Sequence, residues 1–198
     1  DKKMLWRANL YINEIEQKLG YPTIVKPANL GSSVGIKKAK NKQELMEAID
    51  FAMEFSDRIL VEKAIQNLKE INCSVIGDVC ETEASVCEEP CFEDDILSYT
   101  DKYMAGGKSS KGAKGMPSKS GGKGMAVSNK KLPADISDEK RDEIQRLAKE
   151  TFKVLGCAGV SRIDFLIDKD TDTTYVNEIN TIPGALSYYL WEATGKTF

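Results

Sequence analysis

Residues 159–184, GVSRIDFLIDKDTDTTYVNEINTIPG, constrain the fold more than any other stretch, because they predict a β-hairpin with two chemically different faces. From Ser161 to Ile167, one face would carry Arg162, Asp164 and Leu166 and the other only apolar residues, Ile163, Phe165 and Ile167, which is typical of a strand with one buried face. The polar cluster at 168–173 predicts a turn, and the alternation resumes from Tyr175 to Asn180. We therefore expect two antiparallel strands joined by a short polar loop.

Two acidic residues of this hairpin are expected to face each other. An antiparallel register that places Leu166 opposite Val176 also places Asp164 opposite Glu178. Directly opposed side chains lie about 5 Å apart at Cβ, so the two carboxylates repel each other unless a cation lies between them. Because Mg²⁺ binds carboxylate and amide oxygens, we interpret this face as a metal site rather than a solvated surface with chance pairing. The same face would carry an arginine and an amide, Arg162 and Asn180.

Histidine is absent from all 198 residues, which narrows the chemistry. No Ser-His-Asp or Cys-His catalytic group and no histidine metal site can form within this sequence. Carboxylate-bound metals, lysine and arginine charges and backbone donors remain, and phosphoryl transfer uses this set of groups. The five cysteines include no CxxC pair, so we expect reduced thiols in a cytoplasmic protein.

Composition is that of an ordinary globular chain, with 41% hydrophobic and 30% charged residues. The net charge of −3 gives no reason to expect nucleic acid or an anionic membrane as a partner. No apolar run approaches the roughly 18 residues of a membrane span, and no signal peptide opens the sequence. Because the first residue is Asp1, we expect a piece of a longer protein.

A loop of small residues follows the first predicted strand, TIVKP at 23–27. In the loop, ANLGSSVG at 28–35, glycines, hydroxyls and backbone N–H groups can surround a phosphate while Lys26 supplies charge. The loop does not match the Walker pattern. A plain hairpin turn is an equally good interpretation of this stretch alone.

Local signals place other elements. Asn41 with Glu44 predicts a helix start of the capping-box type, and Ser137 before two acidic residues predicts another. Glu70 to Ile76 alternates polar and apolar residues and predicts a strand. Gly77-Asp78 after it predicts a tight hairpin turn.

The segment 105–126, AGGKSSKGAKGMPSKSGGKGMA, breaks every periodic pattern. It holds seven glycines and five lysines and almost nothing to bury, so we expect mobility unless a ligand holds it. A linker between domains is one interpretation. A basic segment inside an acidic protein also suits a lid over an anionic ligand, and we favour the lid.

Five motifs, taken in order, resemble those of D-alanine–D-alanine ligases of the ATP-grasp superfamily. They are LGYPTIVKPANLGSSVGI, ILVEKAI with the following Glu70 strand, DKY before the glycine-rich segment, GVSRIDFLI, and VNEINTIPG. The resemblance extends from about Leu19 to Trp191 and implies an α+β ATP-grasp fold, with two lobes that hold ATP between antiparallel sheets. The small lobe would be residues 1–64 and the large lobe residues 65–198, including the lid.

The resemblance also implies which residues bind ATP. Lys26 would contact the phosphates, under a loop that carries Ser32 and Ser33. Backbone groups of 62–64 would border adenine, and Glu70 would bind the ribose hydroxyls. The full set of implied nucleotide contacts is Lys26, Ser32, Ser33, Glu62, Lys63, Ala64, Glu70 and Lys102.

Metal and catalytic positions follow from the same resemblance. The implied ligands of two Mg²⁺ (or Mn²⁺) ions are Asp164, Glu178 and Asn180, in agreement with the hairpin argument. Arg162 would stabilise the transferred acyl phosphate and the tetrahedral intermediate. Tyr103 lies at the start of the lid, and Gly184 would belong to the oxyanion and substrate region.

The implied reaction joins two D-amino acids in the synthesis of peptidoglycan precursors. The carboxylate of one D-alanine takes the γ-phosphate of ATP and becomes an acyl phosphate. The amine of a second D-amino acid then displaces phosphate and gives a dipeptide such as D-alanyl-D-alanine. D-Serine as the second substrate, as in vancomycin-resistance ligases, is an open alternative.

The sequence departs from the family at the first and the second substrate site. A further N-terminal domain, which holds the first D-alanine and part of a dimer interface, does not occur in these residues. We therefore expect a homodimer for the intact protein, and Mg·ATP binding without appreciable ligation for this chain alone; a nucleotide-binding module without ligase activity is the alternative. Where many relatives have a serine for the second substrate's carboxylate, counting gives Tyr189, with Ser187 as a substitute.

Overall fold

The computed structural model describes residues 2–30, 34–91 and 130–196. These residues form two compact units, the first ending at Ile65 and the second beginning at Gln66. None of the helices in these ranges is long and apolar enough to cross a membrane. The division of the chain into two functional lobes after residue 64 stays a prediction.

The first unit packs two helices on a three-stranded antiparallel sheet of order β2-β1-β3. Its elements are α1 (Lys2–Leu19), β1 (Thr23–Pro27), β2 (Lys37–Ala39), α2 (Lys42–Met53) and β3 (Ile59–Lys63). The buried side chains that join helices and sheet are Ile12, Val25, Ala39, Leu45, Ala48 and Ala52. Because residues alternate along β1, Ile24 and Lys26 lie on the sheet face opposite this core.

The expected capping box starts α2. The Asn41 side chain accepts a hydrogen bond of 2.9 Å from the backbone N–H of Glu44. The Glu44 carboxylate reaches back to the backbone N–H of Lys40, at 2.8 Å, one residue before the N-cap. Both contacts satisfy N–H groups that have no partner within the helix.

The second unit is a five-stranded antiparallel sheet of order β6-β5-β4-β7-β8 with one long and one short helix. Its elements are β4 (Leu68–Gly77), β5 (Thr82–Pro90), β6 (Lys130–Lys131), α3 (Asp138–Val154), β7 (Gly159–Asp168), β8 (Thr173–Asn180) and α4 (Tyr188–Ala193). Helix α3 covers one sheet face, and the fully or nearly buried core is Ile71, Cys73, Val75, Cys87, Ile144, Ala148, Phe152, Ile163, Phe165 and Ile167. All five cysteines are free thiols, as expected.

Helix α4 packs on the opposite face of this sheet. Trp191 is fully buried, and its indole N–H donates to the Ser74 hydroxyl at 3.1 Å. The backbone N–H of Val86 donates to the Thr194 hydroxyl at 3.0 Å. These contacts hold α4 against this sheet face.

The predicted two-residue turn at Gly77-Asp78 is wrong, because β4 and β5 are joined by four residues, 78–81. The Asp78 carboxylate accepts hydrogen bonds from the backbone N–H groups of Cys80 and Glu81, at 2.7 and 2.9 Å. This side chain therefore stabilises a longer loop than the dipeptide suggests. Gly77 remains essential at its place, since its φ is +138° and a Cβ would lie 2.0 Å from the Glu81 carbonyl oxygen.

Candidate active site

The β7–β8 hairpin brings its four predicted polar residues to one sheet face. Asp164 pairs directly with Glu178, and Arg162 pairs with Asn180, as the sequence predicted. The premise of that prediction was wrong, however, because Leu166 pairs with Tyr175 and not with Val176. A β-bulge shifts the register between Asp164 and Phe165.

The Asp164 carboxylate, which faces Glu178, also accepts hydrogen bonds from two neighbouring side chains. Arg162 donates to both of its oxygens, from Nε at 2.7 Å and from Nη2 at 2.8 Å. Asn180 Nδ2 donates a third hydrogen bond, at 2.9 Å. The contact with Asp164 raises the pKa of Arg162, so the guanidinium stays charged. The repulsion expected between two bare carboxylates is therefore largely offset at Asp164.

Glu70 lies on the neighbouring strand β4 and belongs to the same negative region. It pairs with Leu166, two residues along β7 from Asp164. Burial raises the pKa of Glu70, and the charges of Asp164 and Glu178 raise it further. Three carboxylates therefore act on one another electrostatically at this face, and a bound cation would stabilise all of them.

The donor set at this face fits a hard divalent cation. Glu178 is exposed, and the Asn180 amide gives its N–H to Asp164 and keeps its carbonyl oxygen. Within residues 2–30, 34–91 and 130–196, no three acidic or thiol side chains form a complete ion cage by themselves. Mg²⁺ commonly takes one or two carboxylates and completes its shell with water and phosphate oxygens. The predicted ligands suit that incomplete kind of site.

In the first unit, Lys26 and Glu62 lie on the sheet face away from the helices. Their side chains form an ion pair, with Lys26 Nζ 2.8 Å from Glu62 Oε2. Lys26 is the less exposed partner, at 16% against 42% for Glu62. The pair places one fixed positive charge on this face, where the sequence predicted a phosphate contact.

The two following residues differ in what they offer a ligand. Lys63 is exposed, whereas Ala64 is 5% exposed. The backbone N–H of Ala64 donates to the Pro22 carbonyl at 2.9 Å. That N–H is therefore not free to bind a ligand. Hydrogen bonds from 62–64 to an adenine base would have to come from other backbone groups.

Gly35 has a structural explanation that the sequence did not show. Its φ is +78°, and a Cβ would lie 2.7 Å from Pro27 Cγ and 3.0 Å from Phe55 Cδ2. The glycine allows the chain after the small-residue loop to pack against β1. Close approach to a phosphate is not needed to explain this position.

Gly184 opens a short turn between β8 and α4 in which three residues adopt left-handed backbone angles. The φ values of Ala185, Leu186 and Ser187 are 48°, 53° and 53°. Such conformations cost roughly 1 kcal/mol or more per non-glycine residue. The turn leaves Ser187 1% exposed with its hydroxyl enclosed, while Tyr189 stays partly exposed. Of the two alternatives for a substrate contact, Tyr189 is therefore the accessible one.

Sequence reasoning missed one charged residue of this sheet face, Glu88 on β5. Asn72 lies between the two halves of the face, since it pairs with Glu88 on one side and with Asp164 on the other. Lys130 Nζ lies 3.4 Å from Glu88 Oε2. The run Cys87-Glu88-Glu89 contains two acids in sequence, and only the strand register shows which of them lies beside Asn72.

Several predicted positions lie outside the described residues. They are Ser32, Ser33, Lys102, Tyr103 and the proposed lid at 105–126. Their roles stay predictions. The structure brings together Arg162, Asp164, Glu178, Asn180 and Glu70 in the second unit, and Lys26 and Glu62 in the first.

Comparisons with known proteins give the class to which this fold and site belong. The family model "D-ala D-ala ligase C-terminus" matches residues 2–198. The D-alanine–D-alanine ligase of Thermosipho africanus is 43% identical over 190 residues, covering 96% of this chain and 46% of the relative. That of Clostridium acetobutylicum is 40% identical over 191 residues, covering 94% and 49%. The chain thus spans about half the length of the curated relatives it matches.

Solved structures agree with the family model. The D-Ala:D-Ser ligase VanG of Enterococcus faecalis matches with a TM-score of 0.71 and 29% identity, covering 96% of this chain and 48% of that one. The D-alanine–D-alanine ligase of Coxiella burnetii matches with a TM-score of 0.67 and 26% identity, covering 94% and 43%. The fold is therefore the α+β ATP-grasp fold that the motifs implied. The chain belongs to the family of D-alanine–D-alanine ligase C-terminal domains.

Proposed function

We propose that this chain supplies the ATP-binding and catalytic part of a ligase that joins D-alanine to a second D-amino acid through an acyl phosphate. The observation that carries the proposal is the face of the second unit, where an arginine and four metal-competent side chains share one region. They are Arg162, Asp164, Glu178, Asn180 and Glu70. Membership of the ligase family supports the reaction class.

Lys26 is the phosphate-binding residue of the first unit in this proposal. Its ammonium group is held by Glu62 at 2.8 Å and is largely buried, so its position is defined before a nucleotide arrives. A phosphate oxygen can share this ammonium, because a lysine offers three donors. Ser32, Ser33 and Lys102 complete the proposed phosphate contacts, and Glu70 binds the ribose.

The proposed metal ligands are Asp164, Glu178 and Asn180. Two Mg²⁺ (or Mn²⁺) ions, when bound, neutralise negative charge between the phosphates of ATP and the incoming carboxylate. Asp164 keeps its orientation through Arg162 and Asn180, so the side chain is prearranged for an ion. Glu178 is exposed and can turn toward the same ion.

Arg162 is the proposed electrostatic catalyst. Two of its five N–H groups donate hydrogen bonds to Asp164, and the other three can donate to a substrate. These donors can stabilise the negative oxygen that develops when an amine attacks the acyl carbon. In that step the C–N bond forms, the bond from the acyl carbon to the phosphate oxygen breaks, phosphate leaves with the electron pair, and the departing phosphate takes up the proton that the amine nitrogen loses. Tyr103 and the backbone at Gly184 are proposed to border the same substrate.

The second substrate is D-alanine or D-serine in this proposal. The named relatives are D-alanine–D-alanine ligases, and the VanG structure is a D-Ala:D-Ser ligase, which keeps D-serine as the alternative. We further propose a cytoplasmic location, a role in peptidoglycan precursor synthesis and a homodimer in the intact protein.

The proposal predicts that the 198-residue chain alone binds Mg·ATP but forms dipeptide poorly. Correct placement of two reactants can supply roughly 7–11 kcal/mol of the barrier, and relatives are about twice as long as this chain. The test compares the chain with a chimera in which the N-terminal part of the Thermosipho africanus ligase precedes it. Dipeptide from D-alanine, ATP and Mg²⁺ is then measured in both.

The expected result is dipeptide formation by the chimera and loss of it in the chimera with Arg162→Met. A matched control is Arg146→Met, which removes an exposed arginine of α3. Failure of the chain to bind Mg·ATP would contradict the proposal. Mg·ATP binding with an inactive chimera would favour a nucleotide-binding module without ligase activity.

A further inference from the structure

A β-bulge interrupts the pairing of β4 with β5, because Ser85 and Val86 together lie opposite Ser74. The backbone N–H of Ser74 donates to the Ser85 hydroxyl at 3.0 Å. The backbone N–H of Val86 donates to the hydroxyl of Thr194, directly after α4, at 3.0 Å. Side chains therefore satisfy backbone groups at the interrupted ladder, and α4 is attached to the sheet at this point.

A chain of two hydrogen bonds runs from α4 through Ser74 to β7. The indole N–H of Trp191 donates to the Ser74 hydroxyl at 3.1 Å, and this hydroxyl donates to the Ser161 carbonyl at 3.0 Å. A serine hydroxyl has one proton to donate and lone pairs to accept with, so both bonds form at once and fix its direction. Ser74 and Trp191 are fully buried and Ser161 is 1% exposed, and hydrogen bonds are stronger in such surroundings than in water.

This hydrogen-bond chain ends one residue before Arg162. Ser161 precedes Arg162 on β7, and Ser74 is the direct partner of Arg162 across the two strands. Directly paired side chains share a sheet face and lie about 5 Å apart at Cβ. Ser74 therefore lies beside the base of the Arg162 side chain, and Trp191 contacts Ser74 from the same face.

Arg162 is thus held at both ends of its side chain. At the tip, Nε and Nη2 donate to the two Asp164 oxygens at 2.7 and 2.8 Å. At the base, the position of the backbone depends on the contact of Ser74 with Ser161. A guanidinium group fixed in this way presents its remaining N–H groups in one direction. Catalytic groups lose much of their effect when they are misplaced by about 1 Å.

We propose, on the basis of the ligase reaction above, that Ser74 and Trp191 are positioning residues that act through Arg162. Their hydrogen bonds hold α4, β4 and β7 together, so that the remaining N–H groups of Arg162 stay directed to the acyl group. Both side chains are fully buried and do not touch the substrate. Loss of either hydrogen bond should lower the rate of dipeptide formation and leave nucleotide binding unchanged.

The first test measures how firmly Arg162 is held in the 198-residue chain. Hydrogen exchange of the Arg162 Nε–H is followed by NMR, and Arg162→Lys identifies the signal by its loss. Ser74→Ala, which removes the central hydroxyl, should accelerate this exchange about fivefold, because one hydrogen bond fewer opposes local opening. Trp191→Phe, which removes the indole N–H and keeps an aromatic ring, should have the same effect.

Gln145→Met is the matched control for both variants. Gln145, on α3, donates to the Ser85 carbonyl at 2.8 Å and so contacts the same bulge from the opposite sheet face. Its substitution should leave exchange of the Arg162 Nε–H as in the wild type. Melting temperatures report the stability of each variant, and Ser74→Ala keeps the indole in place if Trp191→Phe is unstable. Wild-type exchange in both variants, or equal acceleration in Gln145→Met, overturns the inference.

The second test determines whether Ser74 acts through Arg162. In the chimera, Ser74→Ala should lower kcat for dipeptide formation about tenfold and change the KM for ATP by less than about twofold. In the chimera with Arg162→Lys, which keeps the charge but lacks the planar guanidinium group, Ser74→Ala should change kcat by less than about twofold. A purely structural role of Ser74 would lower kcat equally in both backgrounds, and that result overturns the inference.

The two tests separate this inference from the proposed function. Faster exchange of the Arg162 Nε–H in Ser74→Ala, together with an inactive chimera, would contradict the proposed function and leave the positioning of Arg162 in place. An active chimera together with wild-type exchange in Ser74→Ala would contradict this inference alone.

Discussion

Asp164 and Glu178 lie directly opposite each other on β7 and β8, next to a β-bulge, yet among the residues that the structure describes only Asp164 has a cationic partner. Asp164 holds Arg162 in a two-point contact at 2.7 and 2.8 Å, while Glu178 is exposed. The two carboxylates of the proposed metal site therefore differ in what they contribute to the metal-free fold. Substituting each carboxylate in turn, and measuring both Mg·ATP affinity and metal-free stability, distinguishes its role in metal binding from its role in the fold.

Glu178→Gln should weaken Mg²⁺-dependent ATP binding by roughly tenfold or more, because it removes a charged oxygen ligand. Without metal, the free energy of unfolding should change by less than about 0.5 kcal/mol, since the side chain is exposed. Calorimetric titration with Mg·ATP and thermal unfolding in EDTA measure the two effects. Glu192→Gln on α4, also exposed, is the control and should change neither. A marked loss of stability in EDTA would indicate a structural role for Glu178.

Asp164→Asn should destabilise the protein even without metal. The change removes one partner of a partly buried, charge-assisted contact, and such contacts contribute about 1–3 kcal/mol. This expectation differs from the simple repulsion of two facing acids, which predicts equal or greater stability. Urea unfolding in EDTA decides between them. A variant as stable as the wild type would show that the Arg162 contact contributes little.

Glu70→Gln should change how stability depends on pH in the absence of metal. The pKa of Glu70 is raised above its ordinary value of 4.5 in the folded protein. A carboxyl group of this kind favours folding while it is protonated, and this contribution is lost as pH rises through the folded pKa. Relative to the variant, the wild type should therefore lose stability as pH rises from about 4.5. Unfolding curves in EDTA at several pH values measure the difference, and parallel curves for the two proteins would contradict it.

Lys26→Met should lower affinity for ATP by about tenfold or more, because a charged donor to the phosphates is lost. Glu62 then loses its partner, but it is 42% exposed, so stability should change little. Lys40→Met is a control at an exposed lysine near the same strands. Equal ATP affinity in Lys26→Met and the wild type, measured by fluorescence with a labelled nucleotide, would remove Lys26 from the site.

Local sequence signals predicted most elements because their causes are local. The Asn41 capping interaction forms between residues three apart, and the alternation along 161–167 reports burial of one strand face. The pairing of Asp164 with Glu178 was also predicted, but from a register that holds only on the Asp164 side of the bulge. The bulge was not, because an extra residue in one strand has no marked signature in this run. The loop at 78–81 is longer than the predicted turn because the Asp78 carboxylate accepts hydrogen bonds from backbone N–H groups within it. No local sequence signal indicates these contacts.

By itself, the sequence determined which residue types carry the chemistry: no histidine, carboxylates at hairpin spacing, and lysines and glycines in loops. Tertiary structure alone decided how these charges are paired. Arg162 neutralises Asp164 and leaves Glu178 exposed. Lys130 contacts both the Glu88 carboxylate and the Tyr189 ring, so three separate elements meet there. The physical reason is that a pattern of alternation fixes the face of a strand, whereas contacts between distant strands depend on register and helix packing, which no local signal records.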